Sequence, residues 1–335
     1  MKREITGTGD ARELRVVRAW QAADQVMGYV LADPLGAELP SWAPGAHVDV
    51  HLPSGMTRQY SLSGDPADRL HWRIAVLLEE DGRGGSRYLH DHVRAGAALL
   101  TSTPRNNFPL VSADRYVFIA GGIGITPLLP MIAAAHAAGA GWQLHYGARA
   151  RGRMAFTDEL ERYGDRSQLY PEDTRGLMPL DRMLGPDADG AAVYCCGPEP
   201  LLLAVERQQL ARRAGSLHIE RFRPRTADTA GSGAGAGAGA GEAVQADNGF
   251  DVVLSSTGKV VHVGPRQTVL AAVTKAGVQV ESSCLEGTCA SCETTVLEGE
   301  VDHRDSVLSE EERDSGRTMM LCVSRARSAR LVLDL

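Results

Sequence analysis

The stretch YVFIAGGIGITP, Tyr116 to Pro127, reads as a strand that breaks into a glycine turn and then a helix. Its five leading apolar residues do not alternate, which suits a strand covered on both faces. Gly121, Gly122 and Gly124 permit close backbone approach. The helix opening near Thr126 offers unpaired N–H groups and a positive dipole end to a pyrophosphate. A glycine turn before a helix is also an ordinary structural device, but here it occurs twice. Cys196-Gly197-Pro198 follows the strand-like AAVYC and opens a further helix. Both turns then lie at the carboxyl ends of parallel strands, where ligands bind in open α/β sheets. WQLHYG and SQLYP, with helical stretches between, complete the pattern of a doubly wound α/β domain over 113–226.

Upstream the texture differs. HVDVHL, RQYSLS and HWRIAVLL are short strand-like runs between Gly, Pro and Asp turns, the pattern of an antiparallel β-barrel over 1–112. Arg58-Gln59-Tyr60-Ser61 sits on one of these strands, and Gly84-Gly85-Ser86 follows another. An arginine, a serine hydroxyl and glycine amides together suit a phosphate, and the Tyr60 ring could cover a planar group. An arginine and a tyrosine on a barrel strand are also common as surface and core.

Downstream, GSGAGAGAGAG within 227–247 has no side chains with which to build a core and reads as a flexible tether. Its roughly 20 residues give a root-mean-square reach of about 25 Å. Beyond it, 248–335 fits a small α+β domain with a helix near Thr268–Ala276. Cys284, Cys289 and Cys292 have C-x4-C-x2-C spacing, with Cys322 on a strand-like MMLCVSRA segment. That is the plant-type [2Fe–2S] arrangement. Gly287 and small neighbours let backbone N–H groups turn toward the sulfurs. Four cysteines can also hold zinc, but zinc sites usually pair two short knuckles, and here one ligand stands alone. The remaining pair, Cys195 and Cys196, are adjacent, and the first reads as a small buried hydrophobe.

The bulk composition narrows the function classes. With 43% hydrophobic and 23% charged residues the chain is globular. A formal net charge of −7 argues against a nucleic-acid partner. No apolar run is long enough to cross a membrane, and the N-terminus lacks a signal-type apolar segment. A cytoplasmic monomer is expected, with the cysteines serving metal ligation rather than disulfides.

Together the RxYS strand, the GGS turn, GGIGITP, CGP, Glu220-Arg221-Phe222 and the C-terminal cysteine motif resemble the phthalate dioxygenase reductase and vanillate O-demethylase reductase family, from about residue 14 onward. The resemblance implies an FMN-binding barrel (FAD being the alternative), a NAD(P)H-binding domain and a β-grasp ferredoxin domain. Arg58, Gly84, Gly85 and Ser86 would then hold the flavin phosphate. Gln59 and Tyr60 would lie along the ring, with Ser61 near its N5, and Ala75, Val76 and Leu77 would offer backbone contacts. Phe222 would cover the other side of the ring. Thr126 and Cys196 would face the nicotinamide, with Gly121, Gly122, Gly124, Gly197 and Pro198 around the dinucleotide. The family commonly has glycine where this chain has Ala290, and alanine fits there if φ is negative.

Electron counting agrees with this reading. A nicotinamide gives two electrons as hydride, a [2Fe–2S] centre accepts one, and a flavin bridges the mismatch. NADH is the expected donor, although Arg149 and Arg151 after WQLHYG leave NADPH open. The expected acceptor is a separate Rieske-type oxygenase, with a cytochrome P450 as the alternative. A redox carrier or sensor without hydride chemistry is the rival class.

Overall fold

A computed structural model describes residues 11–80, 82–212, 216–222 and 249–335. The tether expected over 227–247 lies outside the described residues. The chain divides into two units, Met1–Glu220 and Arg221–Leu335.

The first unit begins with β1 (Arg12–Ala23), β2 (Val26–Ala32), β3 (His47–His51), β4 (Thr57–Ser61), β5 (His71–Leu77), α1 (Gly85–His92) and β6 (Ala98–Thr101). The six strands form an antiparallel sheet in the order β4-β3-β6-β1-β2-β5. Its two ends meet where the Ser63 amide donates to the Arg73 carbonyl at 2.8 Å. Inward residues follow the period-2 rule: Leu14 and Val16 are buried while Glu13 and Arg15 are exposed. The core gathers Tyr29, Leu31, Val48, Val50, Trp72, Ile74 and Leu89, and the Tyr29 hydroxyl donates to the Leu89 carbonyl at 2.8 Å. The sequence pattern did not show α1, whose amphipathic eight residues begin directly at the Gly84 turn, where φ is +94°.

The second layer runs β7 (Arg115–Gly121), α2 (Ile125–Ala137), β8 (Gly141–Ala148), α3 (Thr157–Glu161), β9 (Ser167–Pro171), α4 (Glu172–Arg175), α5 (Leu180–Met183), β10 (Ala192–Cys196), α6 (Glu199–Arg212) and β11 (Leu217–Glu220). Its five strands are parallel, in the order β11-β10-β7-β8-β9. The edge strand β11 was not apparent in the sequence, because four residues carry too short a pattern. The order reverses between β7 and β10, so the crevice expected at a topological switch point lies at their carboxyl ends. Two tyrosines of this sheet pin the segment leading in from the barrel. The Tyr194 hydroxyl donates to the Pro109 carbonyl at 2.9 Å, and Tyr116 donates to that of Val111 at 2.8 Å.

The second unit contains β12 (Phe250–Leu254), β13 (Val260–Val263), α7 (Val269–Lys275), β14 (Glu293–Glu298), β15 (Val301–Asp302), α8 (Glu310–Ser315), β16 (Thr318–Met320), β17 (Arg325–Ala326) and β18 (Arg330–Leu333). The main sheet has the order β13-β12-β18-β14-β16, with β12 and β18 parallel and the other pairs antiparallel. α7 is capped by the Thr268 hydroxyl, which accepts from the Ala271 amide, and it buries Val269, Leu270, Ala272 and Val273. This is the β-grasp arrangement. Cys322 lies in the turn after β16 rather than on a strand, since that strand ends at Met320.

The two glycine turns of the first unit are fitted to each other. A Cβ at Gly124 would lie 2.1 Å from the Cys196 carbonyl oxygen, and one at Gly121 would lie 2.5 Å from Pro198 Cδ. Gly124 has φ −62°, which any residue adopts, so only space demands glycine there. Gly124→Ala is therefore expected to cost about 2 kcal/mol or more, lowering Tm by roughly 5 °C. A thermal melt at the wild-type midpoint would show that the turns are not in contact.

Candidate functional site

Three groups of residues gather at separate places. The first is at the rim of the barrel. β4 presents Arg58, and the Gly84 turn brings Gly85 against it, so that a Cβ at Gly85 would lie 2.8 Å from Arg58 Cγ and Nε. The Ser86 hydroxyl accepts from the Glu79 amide at 3.0 Å, which closes the turn and leaves its proton to donate. Arg58, Gly84, Gly85 and Ser86 thus form one cradle. Three residues further along β4, the Ser61 hydroxyl is buried, 5% exposed, with no hydrogen-bond partner. A buried hydroxyl left alone costs about 1–3 kcal/mol, so a polar group from a ligand is the natural partner. The Gln59 amide donates to Asp49 at 3.1 Å, inside a network in which Arg105 pairs with Asp49 at 2.7 Å. Its side chain thus serves the barrel wall. Ala75 and Val76 are buried on β5, the last strand of the sheet, and the Val76 carbonyl is engaged by His90 at 2.8 Å. The residues present fit a flavin mononucleotide: a cationic cradle, an orphaned hydroxyl and a strand edge.

The second group is the crevice at the sheet's switch point. Gly121, Gly124 and Gly197 are needed for the packing of the two turns, whereas Gly122 has φ +55° with nothing within 4 Å of a Cβ position. The backbone at Gly122 is therefore left uncovered by neighbouring atoms. Thr126 is buried, its hydroxyl donating to the Ile123 carbonyl at 2.9 Å. Cys196 is fully buried, and its thiol approaches a Glu220 carboxylate oxygen at 3.8 Å. Burial, and then the neighbouring Glu220, push this thiol well above its ordinary range. It stays protonated and is no nucleophile. Burial likewise raises the Glu220 carboxyl to about 8, opposed only by the thiol. Glu220 stood out in the sequence only as part of the Glu-Arg-Phe run. Its pairing with Cys196 depends on β11 lying beside β10, where the two residues are in register. After β8, Arg151 reaches toward Glu161 at 3.9 Å. Phe222 belongs to the second unit and is exposed.

The third group is the cysteine loop. Cys284, Cys289, Cys292 and Cys322 are all buried free thiols. Cys284 lies close enough to Cys289 and Cys322, and Cys322 to Cys292, for each to perturb the other's titration. The shared protons draw Cys284 and Cys292 toward thiolate, and the donating Cys289 and Cys322 are pushed up. Backbone amides of Glu286 and Thr288 donate to the Cys284 sulfur at 3.3 and 3.5 Å, and that of Ser291 to Cys289 at 3.4 Å. Gly287 has φ +68°, and a Cβ there would lie 2.5 Å from Val323 Cγ2. Asp305, fully buried, braces this loop: its carboxylate accepts from the Leu308 amide at 2.9 Å, and the Ser306 amide donates to the Gly287 carbonyl at 2.9 Å. Four soft ligands with amide donors around them fit a [2Fe–2S] cluster.

The condition under which alanine would fit the loop without strain is not met. Ala290 has φ +61°, and Leu285 has φ +56°. The loop must reverse twice to aim its amides at sulfur, and two side-chain-bearing residues adopt the left-handed conformation to do so.

The comparisons with known proteins agree with this architecture. Residues 252–327 match the model of the 2Fe-2S iron-sulfur cluster binding domain family. The chain is 41% identical over 324 residues to the phenoxybenzoate dioxygenase subunit beta of Ectopseudomonas oleovorans, covering 96% of this chain and 97% of that protein. The solved phthalate dioxygenase reductase, described as a modular structure for electron transfer from pyridine nucleotides to [2Fe–2S], superposes with a TM-score of 0.68. It is 35% identical, over 97% of this chain and 98% of its own. An intact type IV self-sufficient cytochrome P450 monooxygenase superposes on all of this chain with a TM-score of 0.83 and 40% identity, and the chain spans 43% of that longer polypeptide. Fold and sites define a flavin- and nicotinamide-binding reductase joined to a plant-type ferredoxin domain. The chain belongs to the phthalate dioxygenase reductase family.

Two outcomes follow from the site's geometry. Relieving the left-handed alanine, Ala290→Gly should stabilise the cluster loop by about 1 kcal/mol, seen as a higher Tm of the second unit and slower bleaching of the cluster under chelator. Equal or faster bleaching would count against strain at this residue. Glu220 keeps its proton to about pH 8 in the folded chain, against an ordinary value of 4.5. The native state thus binds the extra proton between those values, and the stability this contributes is lost as pH rises toward 8. Glu220→Gln should flatten the fall of Tm across that window, and an unchanged slope would contradict the burial of the carboxyl.

Proposed function

We propose that this chain is the reductase component of an oxygenase system, carrying electrons from NADH through FMN and a [2Fe–2S] cluster to a separate Rieske-type oxygenase. The observation that carries the reading is the Ser61 hydroxyl, buried without a partner on the strand that also bears the Arg58 cradle. A flavin bound there supplies the step from two-electron to one-electron chemistry, which neither the nicotinamide nor the cluster can perform alone.

The chain's own residues do the placing. Arg58, Gly85 and Ser86 take the flavin phosphate, with the guanidinium as a charge-assisted donor. Tyr60, Ser61 and the backbone of Ala75 to Leu77 would hold its ring, Ser61 through its unpartnered hydroxyl. Gly122 admits the dinucleotide, and Thr126 and Cys196 form the floor of the crevice. No general acid or base is called for. The Cys196 thiol and the protonated Glu220 carboxyl together keep that floor uncharged, so a hydride donor meets no competing electrostatic field. Cys284, Cys289, Cys292 and Cys322 would hold the irons as thiolates.

NADH is favoured over NADPH by the family resemblance, and the exposed Arg151 approaches Glu161 at 3.9 Å. Among the described residues no helix is long and apolar enough to cross a membrane. Six free thiols suit the reducing cytoplasm. A cytochrome P450 acceptor is the second reading, favoured by the similarity to the reductase portion of a self-sufficient P450.

Cys196→Ala tests the assignment of the crevice. It should slow stopped-flow flavin reduction by NADH about tenfold, which is about 1.4 kcal/mol in the barrier, while the cluster absorbance stays intact. Reduction at the wild-type rate would remove Cys196 from the hydride site.

A further inference from the structure

The second face of the parallel sheet is covered over only half its width. On β7 and β10 its residues are Val117, Ile119, Val193 and Cys195, buried beneath Leu184, Leu202 and Val205. At β8 the character changes. Gln143, His145 and Gly147 alternate with Leu144 and Tyr146, which belong to the opposite core. On β9, Gln168 and Tyr170 continue the polar face. Met178 lies over Gly147, 3.0 Å from where a Cβ would be, and closes the upper end. Below it lies a cavity of about 1020 Å³.

The rim and the floor of this cavity have different chemistry. Arg115, Arg166, Arg175 and Arg182 line it, with Asp165 as the one carboxylate among the lining residues. That is a local inversion of charge in a chain whose net charge is −7. Arg175 is fixed by a bond to the Leu169 carbonyl at 2.8 Å and lies over the Tyr170 ring at 4.9 Å. The floor is His145, which is 3% exposed and has no hydrogen-bond partner on either ring nitrogen. Its neighbour is Tyr170, with ring centroids 6.0 Å apart. Burial lowers its pKa to about 4, so the ring is neutral and offers one donor and one acceptor. Neither nitrogen is satisfied within the protein, so either is left for a ligand.

The cavity is not part of the dinucleotide crevice. It runs from the amino ends of the strands, where Arg115 begins β7 and Arg166 directly precedes β9. The turns at 121–124 and 196–198 follow the carboxyl ends of β7 and β10.

We propose that this cavity is a second ligand site, for a small organic oxyanion, carboxylate or phosphate ester, held by the arginine rim and hydrogen-bonded from below by His145. Guanidinium groups match the paired oxygens of either anion. The neutral imidazole serves as donor to an oxygen without adding a charge that would itself need burying.

The full chain with its cofactors is titrated calorimetrically with benzoate and, separately, phenyl phosphate, and the His145 ring nitrogens are followed by NMR. At least one probe should bind with saturation and shift the His145 resonances, and which one binds names the anion class. The double variant Arg166→Gln, Arg182→Gln should weaken Kd at least tenfold while NADH-driven flavin reduction keeps its wild-type rate. Saturating NADH should not displace the probe. The proposal is overturned if neither probe binds, if the double variant binds as tightly as wild type, or if NADH competes.

Discussion

Three thiols on one loop meet a fourth from a distant turn, the loop backbone must turn its amides toward sulfur, and the function of the chain depends on that constraint. Sulfur ligands gathered without amide donors would hold iron poorly, and a loop without left-handed residues could not aim Glu286, Thr288 and Ser291 at sulfur. The loop is kept in place by contacts it does not make itself. Gly287 fits beneath Val323 and against Asp305, whose buried carboxylate is tied to the backbone of the following turn. The turn that carries Cys322 packs against the same brace, since the Ser324 hydroxyl donates to Asp305 at 3.4 Å. One buried carboxylate thus links the cysteine loop to the distant fourth ligand.

In the first unit the corresponding constraint is steric. Two turns from β7 and β10 approach until only glycine fits between them, and this contact builds the crevice at the switch point of the sheet. The barrel is joined to that sheet by more than covalent connection. Tyr116 and Tyr194 bond the connecting segment, and Val26, Ala75 and Phe108 from the barrel side share a core with α2. β5 is thereby held beside the parallel sheet, next to the layer proposed to receive the nicotinamide.

Much of this was legible in the sequence because the relevant signals are local. Runs such as YVFIA and HVDVH state their burial in their own residues, and C-x4-C-x2-C places three ligands within nine positions. What could not be read depends on contacts between distant segments. The pairing of Glu220 with Cys196 arises only when β11 lies beside β10. At Gly124 the need for glycine comes from space against the Cys196 carbonyl, a contact between distant segments. The left-handed conformation of Ala290 reflects where its amides must point, which no side-chain pattern records. His145 reads as one polar residue in an alternating strand until the half-covered sheet shows what it faces.

The central claim is that one polypeptide binds both a flavin and an iron–sulfur centre that NADH can reduce. The visible spectrum of the purified, cofactor-loaded protein, recorded anaerobically before and after NADH, tests it most directly. The account predicts superimposed flavin and [2Fe–2S] bands that both bleach. A spectrum without the cluster bands, or flavin bleaching that leaves them unchanged, would contradict it.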